Sequence, residues 1–227
     1  MVSLTMKARD AWWTVVVIDP IAGTLVRLVA PIRRVTPNLL TLVSAVVAAG
    51  AVAAFAVGWL VVGALLFQAS FVIDCMDGKL ASLRQQFGRY GGFFDVVADT
   101  LRFGGCAAAL AYSAAPDASD VAAWAAVLAL YPAVHYGVIV TGSAWPDRGP
   151  KQMVSVPASP LALLRAAPSR LAKPGSTVDA EAVAFTIGPL TGHPLAGVLV
   201  AVALNAFHLL AGTAVRLRHA ASAEETA

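Results

Sequence analysis

The sequence predicts an all-α integral membrane protein with six transmembrane helices, an N-terminal interfacial helix and both termini in the cytoplasm. Three observations lead to this prediction: the composition, the length of the uncharged runs and the distribution of basic residues. Of the 227 residues, 59% are hydrophobic and 13% are charged, whereas soluble domains have about 25% charged residues. This scarcity of charge excludes a soluble enzyme, a disordered chain and a nucleic-acid-binding module as the main interpretation.

The first segment, residues 1–35, is predicted to lie on the membrane surface. Its apolar run from Ala11 to Ile18 is too short to cross a bilayer. Trp12 and Trp13 are amphipathic and suit the boundary between lipid and water. Since no small-residue cleavage pattern follows the run, we expect the segment to be retained rather than removed as a signal peptide.

Six apolar segments follow, and we expect each of them to be a transmembrane helix. The 39 uncharged residues between Arg34 and Asp74 would form a helix of about 58 Å, whereas the hydrocarbon core is about 30 Å thick. This run must therefore fold back, and Gly58 is the predicted turn. The predicted spans lie at about 39–57, 59–83, 91–114, 121–142, 178–191 and 194–215. They form a membrane domain over residues 36–217, and a disordered tail is expected at 218–227.

The basic residues indicate the orientation of the spans. Those near span ends all fall on one side, and they are Arg33, Arg34, Lys79, Arg84, Arg89, Arg148, Lys151, Arg165, Arg170, Lys173, Arg216 and Arg218. The turns expected on the other side contain no Lys or Arg. Because loops rich in Lys and Arg stay inside the cell, we expect a multi-pass protein of the cell membrane whose functional side faces the cytoplasm.

Four aspartates lie at the cytoplasmic ends of the second and third predicted spans. Asp74 and Asp77 are three residues apart, and Asp95 and Asp99 are four apart, so each pair projects from one helix face. A charge at the centre of a membrane helix costs on the order of 2–3 kcal/mol. Carboxylate oxygens suit Mg²⁺ or Mn²⁺, and a pair of such ions stabilises both oxygens of a phosphoryl displacement. The sequence therefore predicts a site for two divalent ions.

Small residues lie between these aspartates. Gly78, Ala81 and Gly91 would leave a floor without side chains, on which a nucleotide or diphosphate can approach the backbone. The alternative is a purely structural network of ion pairs. Its cations would be Lys79, Arg84 and Arg102.

The spacing resembles the signature of the CDP-alcohol phosphotransferase family, D-x2-D-G-x2-A-R-x8-G-x3-D-x3-D. From Asp74 to Asp99 every fixed position matches except Ser82, where the family has Arg. Thr36-Pro37-Asn38 also resembles the sequence with which the family begins its first membrane helix. Together with the six-span layout, the resemblance covers about residues 30–217.

The resemblance implies a metal-dependent membrane transferase of phospholipid biosynthesis. Such an enzyme moves a phosphatidyl or substituted phosphate group from a CDP-linked donor, most often CDP-diacylglycerol, to a small alcohol and releases CMP. It makes Asp74, Asp77 and Asp95 metal ligands, and Asp99 the fourth carboxylate and the base for the acceptor hydroxyl. It also implies a homodimer among membrane lipids. The implied nucleotide-binding residues are Asn38, Gly78, Lys79, Ala81, Ser82 and Gly91.

Ser82 removes a positive charge that the family's Arg would offer to the donor phosphates. Lys79, three residues back on the same helix face, is the predicted replacement and Arg102 is a second candidate, whereas Arg84 should face away. The candidates for binding an anionic acceptor are Arg102, Arg148 and Lys151. The long loop, residues 142–176, joins the fourth and fifth spans. Its basic residues, which also include Arg165, Arg170 and Lys173, would equally attract anionic lipid headgroups.

Two alternative functions stay open. A catalytically silent homologue is compatible with Ser82, and a divalent-cation-binding membrane transporter would also bury acidic residues in membrane helices. A transporter, however, predicts acidic residues near the midplane of several spans. The four aspartates here lie on two spans near one face, which favours the transferase.

Overall fold

The computed structural model describes residues 3–86, 91–114, 118–144, 152–172 and 176–224, and these are mostly helical. In chain order the elements are β1 (Ser3–Lys7), a π turn (Thr14–Ile18) continued by α1 (Asp19–Val29), α2 (Pro37–Ala56), α3 (Leu60–Arg84), α4 (Gly91–Ala114), α5 (Ala118–Ala144), β2 (Met153–Pro157), α6 (Pro160–Arg170), α7 (Thr177–Ala182), a second π turn (Val183–Ile187), α8 (Gly188–Leu190) and α9 (Pro194–Glu224).

Four of these helices are long and apolar enough to cross a membrane, which makes the chain a multi-pass membrane protein. They are α2, α3, the Asp120–Val138 part of α5 and the Pro194–Arg218 part of α9. They correspond to the first, second, fourth and sixth predicted spans. The third predicted span coincides with α4, which carries three charged residues, and the fifth with the short elements α7 to α8. The crossing of the membrane by these two segments stays a prediction.

The turn between α2 and α3 is where the sequence predicts it. Gly58 has φ +79°, a backbone conformation that a residue without Cβ adopts at no steric cost. The start of α2 is capped by the Thr36 hydroxyl, which accepts a hydrogen bond from the Leu39 amide at 3.2 Å. The two helices therefore form an antiparallel hairpin that carries the first aspartate pair on its second arm.

A two-stranded sheet is the main difference from the predicted all-α fold. β1 pairs antiparallel with β2, with Ser3 opposite Pro157 and Lys7 opposite Met153. Leu4 and Met6 alternate with exposed neighbours and are buried, as expected of a strand with one covered face. Most of the described residues are helical, as predicted. The sheet is a pairing that the sequence does not predict, because each strand gains its partner from a distant part of the chain.

The N-terminal segment and the long loop pack together on α3. One face of α1 is buried, and a Cβ on Gly23 would lie 2.7 Å from Leu163 of α6. The other face leaves Leu25 and Leu28 exposed, as an interfacial helix requires; its position on a membrane stays a prediction. α6 continues past Pro168 to Arg170.

Two hydrophobic clusters stabilise the helix bundle and the N-terminal region. One lies within the bundle and includes Phe67, Leu110 and Phe185. The other joins the end of α3 to α1, α6 and the sheet. α9 extends past the predicted end of the sixth span at 215 to Glu224, into the segment for which the sequence predicts a disordered tail. The motif-bearing end of α3 thus lies between the bundle and the N-terminal region.

Candidate functional site

The first aspartate pair is presented by the last turns of α3. Asp74 is buried, and Asp77 accepts a short hydrogen bond from the Thr41 hydroxyl of α2. The i, i+3 spacing places both carboxylates on one side of α3. The α2–α3 hairpin therefore orients the pair, since its first helix supplies a partner for an aspartate of its second.

Arg102 of α4 links the two aspartate pairs. Its Nη2 lies 2.5 Å from Asp99 Oδ1 and its Nη1 lies 3.8 Å from Asp74 Oδ2. The Arg102 side chain is 2% exposed, and its guanidinium lies 5.0 to 5.7 Å from the ring centroids of Phe67, Phe71 and Phe103. The structure therefore brings Asp74 of α3 and Asp99 of α4 to one shared cation.

The side chain of Asp95, the remaining predicted ligand, lies outside the described part, although its backbone is in α4. Among the side chains that are described, no group of three or more His, Cys, Asp or Glu is close enough to hold a metal ion. Three predicted ligands, Asp74, Asp77 and Asp99, are on the described helices and offer only oxygen atoms. The metal site therefore stays a prediction.

Arg84 lies away from the aspartates, as its position two residues after Ser82 predicts. It donates hydrogen bonds to the carbonyl oxygens of Ala30, Ile32 and Val35, at 2.9, 2.9 and 2.5 Å. These oxygens belong to the connection between α1 and α2. Arg84 therefore fixes this connection to the end of α3 and is not a charge donor for the site.

Lys79 forms an ion pair that the sequence analysis did not include. Its Nζ lies 2.9 Å from Asp19 Oδ1, and the other carboxylate oxygen of Asp19 lies 2.8 Å from Arg170 Nη2. Asp19 and Arg170 are both almost fully buried. One signal in the sequence was available for Asp19, because it interrupts an apolar run. Nothing local distinguishes Arg170 from the other basic residues of the long loop.

A cavity of about 700 Å³ opens beside this part of α3. The motif helix contributes Asp74, Asp77, Gly78, Lys79 and Ser82 to its lining. The remaining lining comes from the N-terminal region, β2, α6 and α7, and includes Lys7, Asp10, Thr14, Asp19, Met153, Arg170 and Val178. The cavity is therefore formed by the motif helix together with the segments that pack on it.

Of the other predicted nucleotide-binding positions, Gly78 lines this cavity. Gly78 is exposed, and a Cβ placed on it would meet no described atom within 4 Å, so a ligand has room to approach the backbone there. Ala81 is half-buried on α3, Asn38 is exposed in the first turn of α2, and Gly91 begins α4. Neither Ala81 nor Asn38 is among the described residues that line the cavity.

The predicted acceptor residues are placed only in part. Arg148 and Lys151 lie outside the described residues, and Arg102 is buried between the aspartates. Of the two basic residues of α6, Arg170 lines the cavity and Arg165 lines a separate surface groove with β2. The long loop therefore contributes a cation to the motif cavity, at a residue that the sequence analysis did not single out.

Behind Arg102, the bundle contains a group of buried polar side chains. His135 Nε2 lies 3.7 Å from Glu181 Oε1, and the His135 ring stacks on Tyr131 with 5.6 Å between centroids. Asn205 is fully buried. The amide of Asn205 and the Tyr131 hydroxyl make no hydrogen bond with any described residue. None of these four residues is among the site residues that the sequence predicts.

A comparison with protein families gives one match, which contains the aspartate motif. A family model with the description CDP-alcohol phosphatidyltransferase matches residues 34–188, about two thirds of the chain. The match covers α2 to α7 and therefore all four aspartates, and it begins after Asp19. No curated protein matches the chain.

Proposed function

The chain belongs to the CDP-alcohol phosphatidyltransferase family, and we propose that it transfers a phosphatidyl group from CDP-diacylglycerol, or a substituted phosphate from another CDP-linked alcohol, to a small alcohol. CMP leaves, and the product enters phospholipid biosynthesis. The observation that carries the proposal is the cavity into which Asp74, Asp77 and Gly78 open, because it gives a CDP headgroup room beside the motif. The basic residues near the span ends favour the cytoplasmic side for this cavity.

Two divalent ions, Mg²⁺ or Mn²⁺, would be held by Asp74, Asp77, Asp95 and Asp99. The donor set fits such ions, since it consists of carboxylate oxygens. When bound, the ions would neutralise the diphosphate and so favour CMP as the leaving group.

The protein's own groups have separate tasks in this proposal. Asp99 takes the proton of the acceptor hydroxyl, and Arg102 at 2.5 Å stabilises the carboxylate form that can accept it. Thr41 orients Asp77 through its hydroxyl. Gly78 leaves the backbone open to the donor's phosphates.

The test is CMP release by the purified full-length protein in lipid nanodiscs. Labelled CDP-diacylglycerol is offered with a panel of small alcohols and phosphorylated alcohols, with Mg²⁺, Mn²⁺ or EDTA, and the lipids are identified by mass spectrometry. We expect release that needs both an acceptor and a divalent ion. Asp99→Asn should lower kcat by about 10² to 10⁴-fold, the usual contribution of a positioned base, whereas Asp120→Asn in the first turn of α5 is the matched control.

Three outcomes separate this proposal from the alternatives. Metal-dependent transfer that Asp99→Asn abolishes supports the transferase. Absence of CMP release with every CDP-linked donor contradicts it and favours a silent homologue. Divalent-ion flux into sealed vesicles without CMP release would instead identify a transporter.

A further inference from the structure

The cavity beside α3 has a positively charged part formed by Lys79 and Arg170, which come from different elements and both line it. Asp19 lies between them, with its two carboxylate oxygens 2.9 Å from Lys79 Nζ and 2.8 Å from Arg170 Nη2. Two cations share one anion in this cluster. The cluster therefore keeps one positive charge that its own carboxylate does not neutralise.

Two contacts fix the side chain of Arg170 in the cavity wall. Its Nε donates a hydrogen bond to the Lys7 carbonyl oxygen at 3.2 Å, and its Nη2 meets Asp19. The residue is only 3% exposed, and its Nη1 has no hydrogen-bond partner among the described residues. An unsatisfied donor on a buried cation is costly. An anion that enters the cavity would satisfy it.

Ser82 is the position at which the motif lacks a positive charge. It lines the same cavity with a neutral hydroxyl, at the position where the signature of the family carries Arg. Lys79, which the sequence suggests as the replacement, is not a separate charge, because Asp19 ties it to Arg170. The cavity thus contains a pair of cations, one of which comes from α6, near the position at which the motif lacks its Arg.

We propose that Lys79 and Arg170, positioned by Asp19, form a subsite for a phosphate-type anion in this cavity. A planar guanidinium binds phosphate oxygens through paired hydrogen bonds, and a neighbouring ammonium adds a point charge. The identity of the ligand rests on the proposed function. The anion is either the diphosphate of the CDP-linked donor or the phosphate of a phosphorylated alcohol acceptor, and kinetics distinguish the two.

The first measurement is binding without turnover. Pyrophosphate is titrated into the full-length protein in detergent and EDTA, so that neither metal ions nor transfer contribute, and binding is followed by calorimetry. We expect Arg170→Gln and Lys79→Gln each to weaken binding about 10 to 100-fold, the effect of one charge-assisted hydrogen bond. Arg165→Gln is the matched control on α6, because Arg165 lies in another groove; it should leave binding unchanged.

The second measurement assigns the anion. If the donor diphosphate occupies the subsite, Arg170→Gln raises the KM for the donor about 10 to 100-fold and leaves the KM for the acceptor unchanged. If a phosphorylated acceptor occupies it, the KM for that acceptor rises, and acceptors without phosphate are unaffected. In both cases kcat changes much less than KM, which a general loss of structure would not produce.

A structural role alone is the rival explanation, since Arg170 also ties α6 to β1 and α1. Unchanged pyrophosphate binding in Arg170→Gln, together with a lower unfolding temperature, would overturn the proposal. If that variant does not fold, Arg170→Lys keeps the charge but loses the forked geometry, and its binding should still fall at least threefold; wild-type binding would overturn the proposal. If pyrophosphate binding depends on Arg170 but the protein releases no CMP, the anion subsite is supported and the proposed transferase is rejected.

Discussion

Arg102 shows how a single buried residue joins the two halves of the motif. Its guanidinium lies within 4 Å of carboxylates on α3 and α4 and among three aromatic rings. Removing one partner from such a buried group leaves uncompensated charge, which is far more costly than the pair is stabilising. The structural ion-pair network that the sequence left open therefore exists at Arg102, beside the carboxylates proposed to bind metal.

Arg102→Met should destabilise the protein by about 3–5 kcal/mol in EDTA, because Asp74 and Asp99 lose their shared cation. Saturating Mg²⁺ should recover part of this loss if the aspartates bind the ion. The free energy of unfolding is measured by chemical denaturation in detergent. Arg27→Met on the exposed side of α1 is the control, and a loss below about 1 kcal/mol in EDTA would contradict the prediction.

Ser82→Arg restores the residue of the family signature inside the cavity. We expect the KM for the CDP-linked donor to fall about 3 to 10-fold, since one more charged donor reaches the diphosphate. Steady-state CMP release measures it. Ser169→Arg, which adds the same charge on the exposed side of α6, should leave the KM unchanged; an equal decrease in both variants would indicate general attraction of anions instead.

The α2–α3 hairpin is the element that presents the first aspartate pair. Gly58 makes its turn, and Thr41 on one arm binds Asp77 on the other. Close approach of the arms depends on Gly63, where an added Cβ would lie 2.4 Å from the Phe55 ring. Packing within this hairpin therefore sets the position of the motif.

Gly63→Ala should destabilise the protein by about 1–3 kcal/mol, because the methyl group overpacks against Phe55. Thermal unfolding in detergent reports the change. Gly104→Ala is the matched control within a helix, since its Cβ would meet no described atom within 4 Å. This control should be neutral or stabilising by up to about 1 kcal/mol, and equal destabilisation of both variants would show that packing against Phe55 is not the cause.

At the scale of the whole molecule, the N-terminal region and the long loop form one body with the end of α3. A single hydrophobic cluster contains Leu4, Val26, Leu80 and Leu163, which come from β1, α1, α3 and α6. The matched family region begins only at residue 34, yet Asp19 and the cavity lining before it belong to the same body. The homodimer implied by the resemblance stays a prediction.

The six-span topology predicts opposite sides for two accessible positions. His193 lies in the turn before α9, and Arg165 is on α6, in the loop that the predicted topology assigns to the cytoplasm. In intact cells, His193→Cys should react with a membrane-impermeant thiol reagent, whereas Arg165→Cys should react only after permeabilisation. The parent for both variants is Cys75→Ala/Cys106→Ala. Reaction of both positions only after permeabilisation would show that α7 to α8 do not cross the membrane.

Properties that depend on neighbours along the chain were determined by the sequence alone. The uncharged run required a turn, and the structure has it at Gly58. The predicted second and third spans agree with the bounds of α3 and α4, because helical periodicity and helix length are local. The spacing of the aspartates was likewise sufficient for the family, which the match over residues 34–188 confirms.

The tertiary structure alone decided the contacts between distant residues. β1 is a strand only because β2 pairs with it, and Arg170 reaches the Lys7 carbonyl across 163 positions. No local pattern marks such partners, since loop closure brings them together only when the hydrophobic cluster forms. The assignment of Lys79 to Asp19, and the placing of Arg170 in the motif cavity, therefore came from the packing of α1 and α6 on α3.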